Sequence, residues 1–394
     1  MRNVLVLGSV RTPIGSMNGV YSNVKAVELG VIAAKETLRR TGVEAAQIEE
    51  VVIGNVLTAG QGQNPARQIT LGTGLPETTP AFTVNKVCGS GLKAIELGWQ
   101  SILLGRANVV LAGGAENMTM APYLLPAMRG GARMGDVKAV DGMIFDGLWE
   151  IFNNYHMGLT AENIAAQYGI SREEQDEFAY ASQMKCAKAM QAGLFKEEIT
   201  PVTVKHKKGE MVVDTDEHPK ADTTVEKMSK LRPAFKPDGT VTAANASGIN
   251  DAASTVLLVA EDAVPANVNT EGAVYLRDVR SSGCNPAVMG LGPIGAVRKL
   301  LEKNSMNVSD IDLWELNEAF AAQSIACIRD LGIDMARINP NGGAIALGHP
   351  IGCTGARVST ALIHEMKRRG VQYGVATMCI GGGMGIAGLY ENKV

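Results

Sequence analysis

Apolar and polar positions alternate along the first hundred or so residues in a way that predicts strands followed by helices. Residues 3–10 form an apolar, strand-like run, and residues 24–40 follow a helical period. Residues 51–57 and 109–112 are again strand-like, with apolar helical spacing between them over residues 92–104. This succession predicts an α/β fold with a largely parallel sheet and helices on its faces.

The last third of the chain repeats the pattern of the first third. Residues 48–56 correspond to residues 311–319, and the helix-patterned stretch after Cys88 corresponds to the one after Cys353. The two offsets, 263 and 265 residues, are nearly constant. A chance resemblance would not require such constancy, so we predict two copies of one α/β unit that form a duplicated, layered core.

A different pattern separates the two copies. From about residue 116 to residue 245 polar and charged positions are frequent, and five methionines fall between residues 118 and 143. We interpret this stretch as an inserted, substrate-binding lobe. The predicted domains are a first half (1–117 with 246–270), an inserted loop domain (118–245) and a second half (271–394).

Composition narrows the class of protein. The chain has 394 residues with 37 basic and 40 acidic side chains, and this balance favours neither nucleic acid nor an anionic membrane as a partner. No run of about 18 apolar residues occurs, so no membrane span is expected. Six scattered cysteines and a start without a signal-like apolar run predict free thiols and a cytoplasmic location.

Cys88 lies between a strand pattern and a helix pattern, in the sequence TVNKVCGSGL. A sharp turn at this point would present the side chain beside the free N–H groups and the positive dipole end of the helix, which favour a thiolate. Cys88 is therefore a candidate nucleophile. The alternative is an inert core cysteine, since free cysteines are often buried.

Three further polar residues stand beside small residues at predicted strand ends, namely Asn317, His349 and Cys379. Each has an ordinary alternative, because a loop histidine is often a surface or capping residue. A dinucleotide fingerprint at residues 383–388 is rejected, since only six residues follow it and the motif requires a helix and a second strand. A zinc site at His349 and Cys353 is rejected, because no second ligand pair lies at suitable spacing.

Taken together, these stretches resemble the thiolase family over nearly the whole chain. The resemblance lies in VRTPIG, GNV, GQNPARQ, NKVCGSGLKA, GGAENM, YHMG, TAEN, REEQDEFA, NASGINDAA, NEAFAAQS, NGGAIALGHPIG and CIGGGMG. It is closest to the short-chain type. It implies the thiolase-like fold and an acetyl-CoA C-acetyltransferase activity, which condenses two acetyl-CoA into acetoacetyl-CoA and CoA, reversibly and without a cofactor or metal.

The resemblance also implies roles for the candidate residues. Cys88 would carry the acyl group as a thioester, and His349 would accept its proton. Asn317 would hold a water that completes an oxyanion site with His349. Cys379 would remove a proton from the second acetyl-CoA. The backbone N–H groups of Cys88 and Gly381 would form a second oxyanion site.

The family's coenzyme A site is expected in the inserted lobe and near its borders. The matching positions are Leu148, His156, Met157, Lys220, Leu231, Phe235, Ala244, Ser247 and Phe320. For Leu148 and Leu231, an ordinary place in the core of the lobe is an equal alternative. Lys220 would lie near the nucleotide, and the YHMG sequence would narrow the acyl pocket.

Two positions depart from the family pattern, and other functions stay open. Cys353 stands where a small residue is usual, and we interpret it as a packing residue or a vestige of duplication. Met384 stands where Gln is frequent, which affects only details of that loop. The alternatives are a degradative 3-ketoacyl-CoA thiolase of broader chain length and a non-catalytic acyl-CoA binding protein. The resemblance to the thiolases also implies a homotetramer. Residues 118–143 are the segment expected to mediate the contacts between its subunits.

Overall fold

The computed structural model describes residues 2–206 and 209–392. Its strands are β1 Val4–Arg11, β2 Gly15–Ser16, β3 Glu50–Gly54, β4 Ala81–Val84, β5 Val109–Asn117, β6 Tyr123–Leu124, β7 Val140–Asp141, β8 Trp149–Glu150, β9 Tyr155–His156, β10 Val202–His206, β11 Gly209–Val213, β12 Asn250–Ala260, β13 Val274–Gly283, β14 Leu313–Leu316, β15 Tyr373–Ile380 and β16 Met384–Asn392.

The helices begin and end at residues suited to these positions. For example, the first helix ends at Gly42, whose left-handed φ of 69° suits glycine, and Ser171 caps the fifth helix by accepting a hydrogen bond from the N–H of Glu174. The α-helices are α1 Ala26–Thr41, α2 Pro65–Thr73, α3 Ser90–Leu103, α4 Met157–Tyr168, α5 Arg172–Gln191, α6 Val225–Ser229, α7 Gly292–Lys303, α8 Ala321–Leu331, α9 Ala344–Leu347 and α10 Thr354–Arg369.

A ten-stranded sheet shows the predicted duplication. Its order is β14-β15-β16-β13-β1-β12-β5-β3-β4, with β2 paired to β12. Outward from the β1–β13 junction, the first half runs β1, β12, β5, β3 and the second half runs β13, β16, β15, β14. The pair directions also match, since β12 and β16 are antiparallel to both neighbours whereas β3–β5 and β14–β15 are parallel. The two halves therefore share one topology.

The expectation of a largely parallel sheet is wrong. Only β3–β4, β3–β5 and β14–β15 are parallel pairs among the described strands of the large sheet, and the other pairs are antiparallel. β15 and β16 are joined by a glycine turn of three residues, which is too short for a parallel crossover. In the first half a long insertion separates β5 from β12. The sequence therefore contained no short turn there to indicate that these two strands pair antiparallel.

Three apolar clusters define the layers of the core. In the central cluster, Leu92 and Ile95 of α3 and Leu362 of α10 pack with side chains from strands of both halves. A second cluster packs α1 and α2 on the outer face of the first half, and a third packs α7 and α8 on that of the second half. The strands of each half thus lie between an outer helix layer and the shared central layer of α3 and α10.

Helices α4 and α5 of the segment between β5 and β12 pack against the second half. Ser182 of α5 donates to the carboxylate of Glu318 at 2.7 Å, and Gln183 donates to the carbonyl of Ile345 at 3.2 Å. Arg11 of β1 holds a later part of the segment through the buried carboxylate of Asp216. The exact domain boundaries stay a prediction. Within the described ranges, no helix is long and apolar enough to cross a membrane.

Candidate active site

The predicted strand, turn and helix around Cys88 are present. β4 ends at Val84 and α3 begins at Ser90, so the cysteine lies in the turn between them. Val87 has a φ of +46°, a left-handed conformation that is strained for a β-branched residue. The Ser90 hydroxyl accepts from the N–H of Lys86 at 2.8 Å and donates to the carbonyl of Val87 at 2.7 Å, which holds the turn.

Burial dominates the electrostatics of Cys88. It raises the pKa of the thiol to about 11, while hydrogen bonds from the backbone N–H groups of Gly381 and of Cys88 itself lower it. The N–H groups therefore favour the thiolate, as expected, but burial outweighs them in the free protein. The two N–H groups do converge beside the sulphur, as an oxyanion site for an acyl group on Cys88 would require.

His349 is held in a defined orientation by neighbours from both halves. Its backbone N–H donates to the side-chain oxygen of Asn250 at 2.9 Å, and its Nδ1 lies 2.7 Å from the Thr354 hydroxyl. Because that hydroxyl donates to the carbonyl of Pro350 at 2.9 Å, it accepts from Nδ1–H. Nε2 then has the free lone pair of a base. Burial lowers the pKa of His349 to about 3, so the ring is neutral at pH 7.

Asn317 and Cys379 lie at the ends of neighbouring parallel strands, just after β14 and near the end of β15. The Asn317 amide nitrogen lies 3.5 Å from Nε2 of His349, within hydrogen-bonding distance. Its Oδ1 is buried and has no hydrogen-bond partner among the described residues. Cys379 is fully buried, and its pKa is raised first by burial and then by the nearby Cys88. Both side chains therefore join the same cluster as Cys88 and His349.

One cavity of about 230 Å³ opens over this cluster. Nine of the residues expected to function line it, namely Cys88, Leu148, His156, Met157, Phe235, Ser247, Phe320, His349 and Gly381. Three aromatic side chains form one wall, because the ring of His156 stacks on Phe235 at 4.7 Å and Phe235 meets Phe320 edge-on at 6.3 Å. The cavity is therefore mostly apolar. Cys88 and His349 lie in its wall, whereas Asn317 and Cys379 are buried and do not line it.

The structure does not place three of the expected coenzyme A residues in this cavity. Lys220 is exposed, and its backbone N–H donates to the side chain of Gln183 at 2.8 Å. Leu231 is 42% exposed, and Ala244 packs with Met228 in a separate apolar cluster. These three residues lie outside the cavity wall that faces Cys88. They can contact a ligand bound at Cys88 only if that ligand is long enough to extend out of the cavity.

Several cavity residues were missed by sequence reasoning. Met118, Met289 and Ile351 line the cavity without having been singled out. Met118 and Ile351 fall within the motifs GGAENM and NGGAIALGHPIG, so these motifs could have predicted that both residues lie beside the site. Met289 falls in none of the motifs above, and only the tertiary structure brings it here.

The secondary interpretations can also be placed. Cys353 is fully buried in an apolar cluster with Ile14, Cys186 and Leu347, as expected of a packing residue. The GxGxxG match at residues 383–388 lies at the end of a hairpin turn and in β16, not between a strand and a helix, which excludes a dinucleotide loop. Among the described residues, no group of three or more His, Cys, Asp or Glu side chains is arranged to hold a metal.

Comparison with known proteins identifies the family. The model of the thiolase N-terminal domain matches residues 4–262, and that of the thiolase C-terminal domain matches residues 270–392. An acetyl-CoA acetyltransferase of Pseudomonas aeruginosa is 53% identical over 388 residues, which covers 98% of both chains.

Solved structures agree with the sequence relatives. The crystal structure of the Bacillus anthracis acetyl-CoA acetyltransferase superimposes with a TM-score of 0.97 at 42% identity and covers 100% of this chain and 99% of that one. Human mitochondrial 3-ketoacyl-CoA thiolase superimposes with a TM-score of 0.96, also at 42% identity, and covers the same shares. The chain therefore belongs to the thiolase family and is an acyltransferase.

Proposed function

We propose that the protein is an acetyl-CoA C-acetyltransferase, which condenses two acetyl-CoA into acetoacetyl-CoA and CoA and also catalyses the reverse reaction. The observation that supports this most directly is that Cys88 and His349 line an apolar cavity while Asn317 lies beside His349 and Cys379 lies near Cys88. A protein that only binds acyl-CoA would not need a nucleophile, a base and oxyanion donors together.

In the first half-reaction, the Cys88 thiol gives its proton to Nε2 of His349 as the sulphur attacks the thioester carbon of acetyl-CoA. The neutral imidazole can accept this proton because its Nδ1–H is already committed to Thr354. Negative charge on the acetyl oxygen is stabilised by the N–H groups of Cys88 and Gly381. The carbon–sulphur bond to CoA breaks, and the proton on His349 leaves with the CoA thiol.

In the second half-reaction, the Cys379 thiol first gives its proton to Nε2 of His349, and the resulting thiolate then removes a proton from the methyl carbon of a second acetyl-CoA. The resulting enolate oxygen is stabilised by His349 and by a water on Asn317, a role supported by the buried, unpartnered Oδ1 of that amide. The enolate carbon attacks the acetyl carbonyl on Cys88. A carbon–carbon bond forms, the bond to Cys88 breaks, and acetoacetyl-CoA is released as the Cys88 sulphur takes the proton from Nε2 of His349, while Cys379 keeps the proton of the substrate.

Substrate binding is divided between the cavity and the surface beyond it. Leu148, His156, Phe235, Ser247 and Phe320 would contact the pantetheine arm, since they line the cavity leading to Cys88. Met157 would narrow the acyl pocket, because its methyl group lies against Gly381. The surface set of Lys220, Leu231 and Ala244 would meet the nucleotide end of coenzyme A. The exposed charge of Lys220 suits an anionic ligand.

The proposal also covers the cofactor requirement, the cellular location and the oligomeric state. Coenzyme A thioesters are the substrates, and no cofactor or metal is needed. All six cysteines are free thiols, which fits a reducing cytoplasm. We infer a homotetramer with contacts through residues 118–143, where Met134 is 98% and Tyr123 is 68% exposed.

Kinetics with substrates of different chain length separate this function from its main alternative, a 3-ketoacyl-CoA thiolase that acts on a broader range of chain lengths. The similarity to the human mitochondrial 3-ketoacyl-CoA thiolase is the reason to test this alternative. Thiolysis of acetoacetyl-CoA and of a C8 3-ketoacyl-CoA would be compared under the same conditions. We expect kcat/KM to favour the shorter substrate at least about tenfold, because extra methylenes must displace Met157 or Met289. Equal values for both substrates would favour the broader thiolase.

A further inference from the structure

A buried carboxylate that plays no part in the mechanism above lies close to Cys88. Glu116 is fully buried near the end of β5, and its charge is the weakest of the influences on the pKa of the Cys88 thiol. One carboxylate oxygen accepts from the Asn55 side chain at 2.7 Å and the Leu57 N–H at 3.2 Å. The other accepts from the N–H groups of Val56 at 3.0 Å and Gly352 at 2.9 Å.

These four donors come from two loops that belong to different halves of the molecule. Residues 55–57 follow β3 of the first half, whereas Gly352 lies three residues after His349 in the second half. The fit is close, because a Cβ on Gly352 would lie 2.4 Å from the Glu116 carboxylate and 2.9 Å from Cα of Asn55. The carboxylate is therefore the point at which the His349 loop is fastened to the first half.

All four groups that contact the Glu116 carboxylate are hydrogen-bond donors, so the side chain at this position must accept hydrogen bonds at both of its terminal atoms. Only a group with two accepting oxygens satisfies four N–H bonds, and a buried donor without a partner is destabilising. An amide in the same place would turn an NH₂ group toward two of these donors. A glutamine would thus keep the volume of the side chain but leave two of the donors unpaired, either those of Asn55 and Leu57 or those of Val56 and Gly352.

We propose that Glu116 is a positioning residue that fixes His349 over Cys88 by fastening residues 349–352 to residues 55–57. It touches neither substrate nor a reacting atom and acts through His349. The proposal rests on the function proposed above only in assigning His349 the role of base to Cys88. A shift of about 1 Å in such a base can reduce a rate by about 10²-fold.

The test compares Glu116→Gln with Glu96→Gln. Glu96 is a matched control because it is also a buried glutamate, held by Lys93 and Gln100 on α3. For Glu116→Gln we expect kcat to fall about 10²-fold with KM for acetoacetyl-CoA changed less than about threefold, since the cavity wall is intact. Glu96→Gln should retain the wild-type kcat. Equal losses in both variants, or a rise in KM alone, would overturn the proposal.

A double-mutant cycle then tests whether Glu116 acts through His349. The rate at which iodoacetamide alkylates Cys88, read by mass spectrometry of its peptide, should fall in Glu116→Gln and in His349→Ala. In the double variant it should fall no further than in His349→Ala alone. Independent, multiplying losses would show a general structural role and refute the proposal.

Two features keep this test decisive. Alkylation needs no acyl-CoA, so the cycle has the same meaning whether or not the proposed condensation is the reaction of the enzyme. If Glu116→Gln does not fold, the cycle is repeated with Gly352→Ala, whose added methyl group would disturb the same contact from the other loop. A Gly352→Ala variant that folds with unchanged alkylation would equally refute the role of this contact.

Discussion

At the scale of single residues, burial sets the resting protonation of Cys88 and His349, the proposed catalytic pair. It raises the pKa of Cys88 to about 11 and lowers the pKa of His349 to about 3. A free cysteine titrates near 8.5 and a free histidine near 6.5. Between pH 5 and 9 the free enzyme therefore contains a thiol and a neutral imidazole rather than an ion pair.

This state has a direct optical test. Thiolate absorbs near 240 nm, so the difference in absorbance between wild type and Cys88→Ala reports the ionisation of Cys88. Because the pKa is raised, we expect no thiolate difference at pH 7 and an increase only above about pH 9. A difference already present at pH 7 that disappears on acidification would show a thiolate–imidazolium pair instead.

The Thr354 hydroxyl fixes the tautomer of His349, which gives a second prediction. Thr354→Val removes the acceptor for Nδ1–H, and a hydrogen bond of this kind contributes about 0.5–1.5 kcal/mol. We expect kcat to fall roughly 3- to 10-fold. Thr360→Val is the control, since Thr360 is a buried threonine of the same helix that pairs with Ser254 instead. A kcat equal in both variants would contradict the tautomer assignment.

Sequence alone could find the reactive residues but not what holds them. Cys88, Asn317, His349 and Cys379 stand in local motifs with glycine or small neighbours, so a family resemblance was enough to select them. The bond between Glu116 and Gly352 joins residues 236 positions apart, and no local pattern reports such a pairing. The raised pKa of Cys88 was missed for the same reason, because burial depends on the whole fold.

At the scale of elements, helices and single strands were predicted better than their pairing. The helical period over residues 24–40 and 92–104 matches α1 and α3 closely, because each buries one apolar face. The direction of β12 and β16 was not predicted. A buried strand is apolar on both faces whether its neighbours run parallel or antiparallel, and the turn at Gly381–Gly383 alone indicated a hairpin.

A buried arginine provides one of the attachments between the sheet and the segment that joins β5 to β12. Arg11 of β1 contacts Glu198 at 2.7 Å and Asp216 at 2.6 Å with no exposure of its side chain. Arg11→Met would leave two buried carboxylates unpaired, and we expect the free energy of unfolding to fall by about 3–5 kcal/mol in urea titrations. The exposed Arg39, paired with Glu36, supplies the control Arg39→Met. Similar small losses in both would refute this anchoring role.

At the scale of the whole molecule, neither half contains a complete site. The first half supplies Cys88 and its turn, whereas the second supplies Asn317, His349, Cys379 and Gly381. The central layer makes this arrangement rigid, because α3 and α10 approach so closely that a Cβ on Gly355 would lie 2.1 Å from the backbone nitrogen of Leu92. The duplicated fold thus places the turns that precede α3 and α10, which differ in chemistry, beside one another.

Assembly gives a prediction at this scale. If residues 118–143 form the contact between dimers, light scattering should show four chain masses for wild type and a smaller species for Met134→Glu, since the charge would be desolvated in the contact. Leu104→Glu is the control, because Leu104 is 70% exposed elsewhere. A wild-type monomer at micromolar concentration, or no effect of Met134→Glu, would exclude this role.

The central claim is that Cys88 carries the acetyl group and that Cys379 serves only the carbon–carbon step. Wild type, Cys379→Ser and Cys88→Ala would each be incubated with isotopically labelled acetyl-CoA, digested and examined by mass spectrometry for the labelled peptide. We expect the label on Cys88 in wild type and in Cys379→Ser, which should lose condensation by at least about 10²-fold, and no label in Cys88→Ala. Label on Cys379 or Cys353 of the wild-type enzyme, with Cys88 free, would contradict the account.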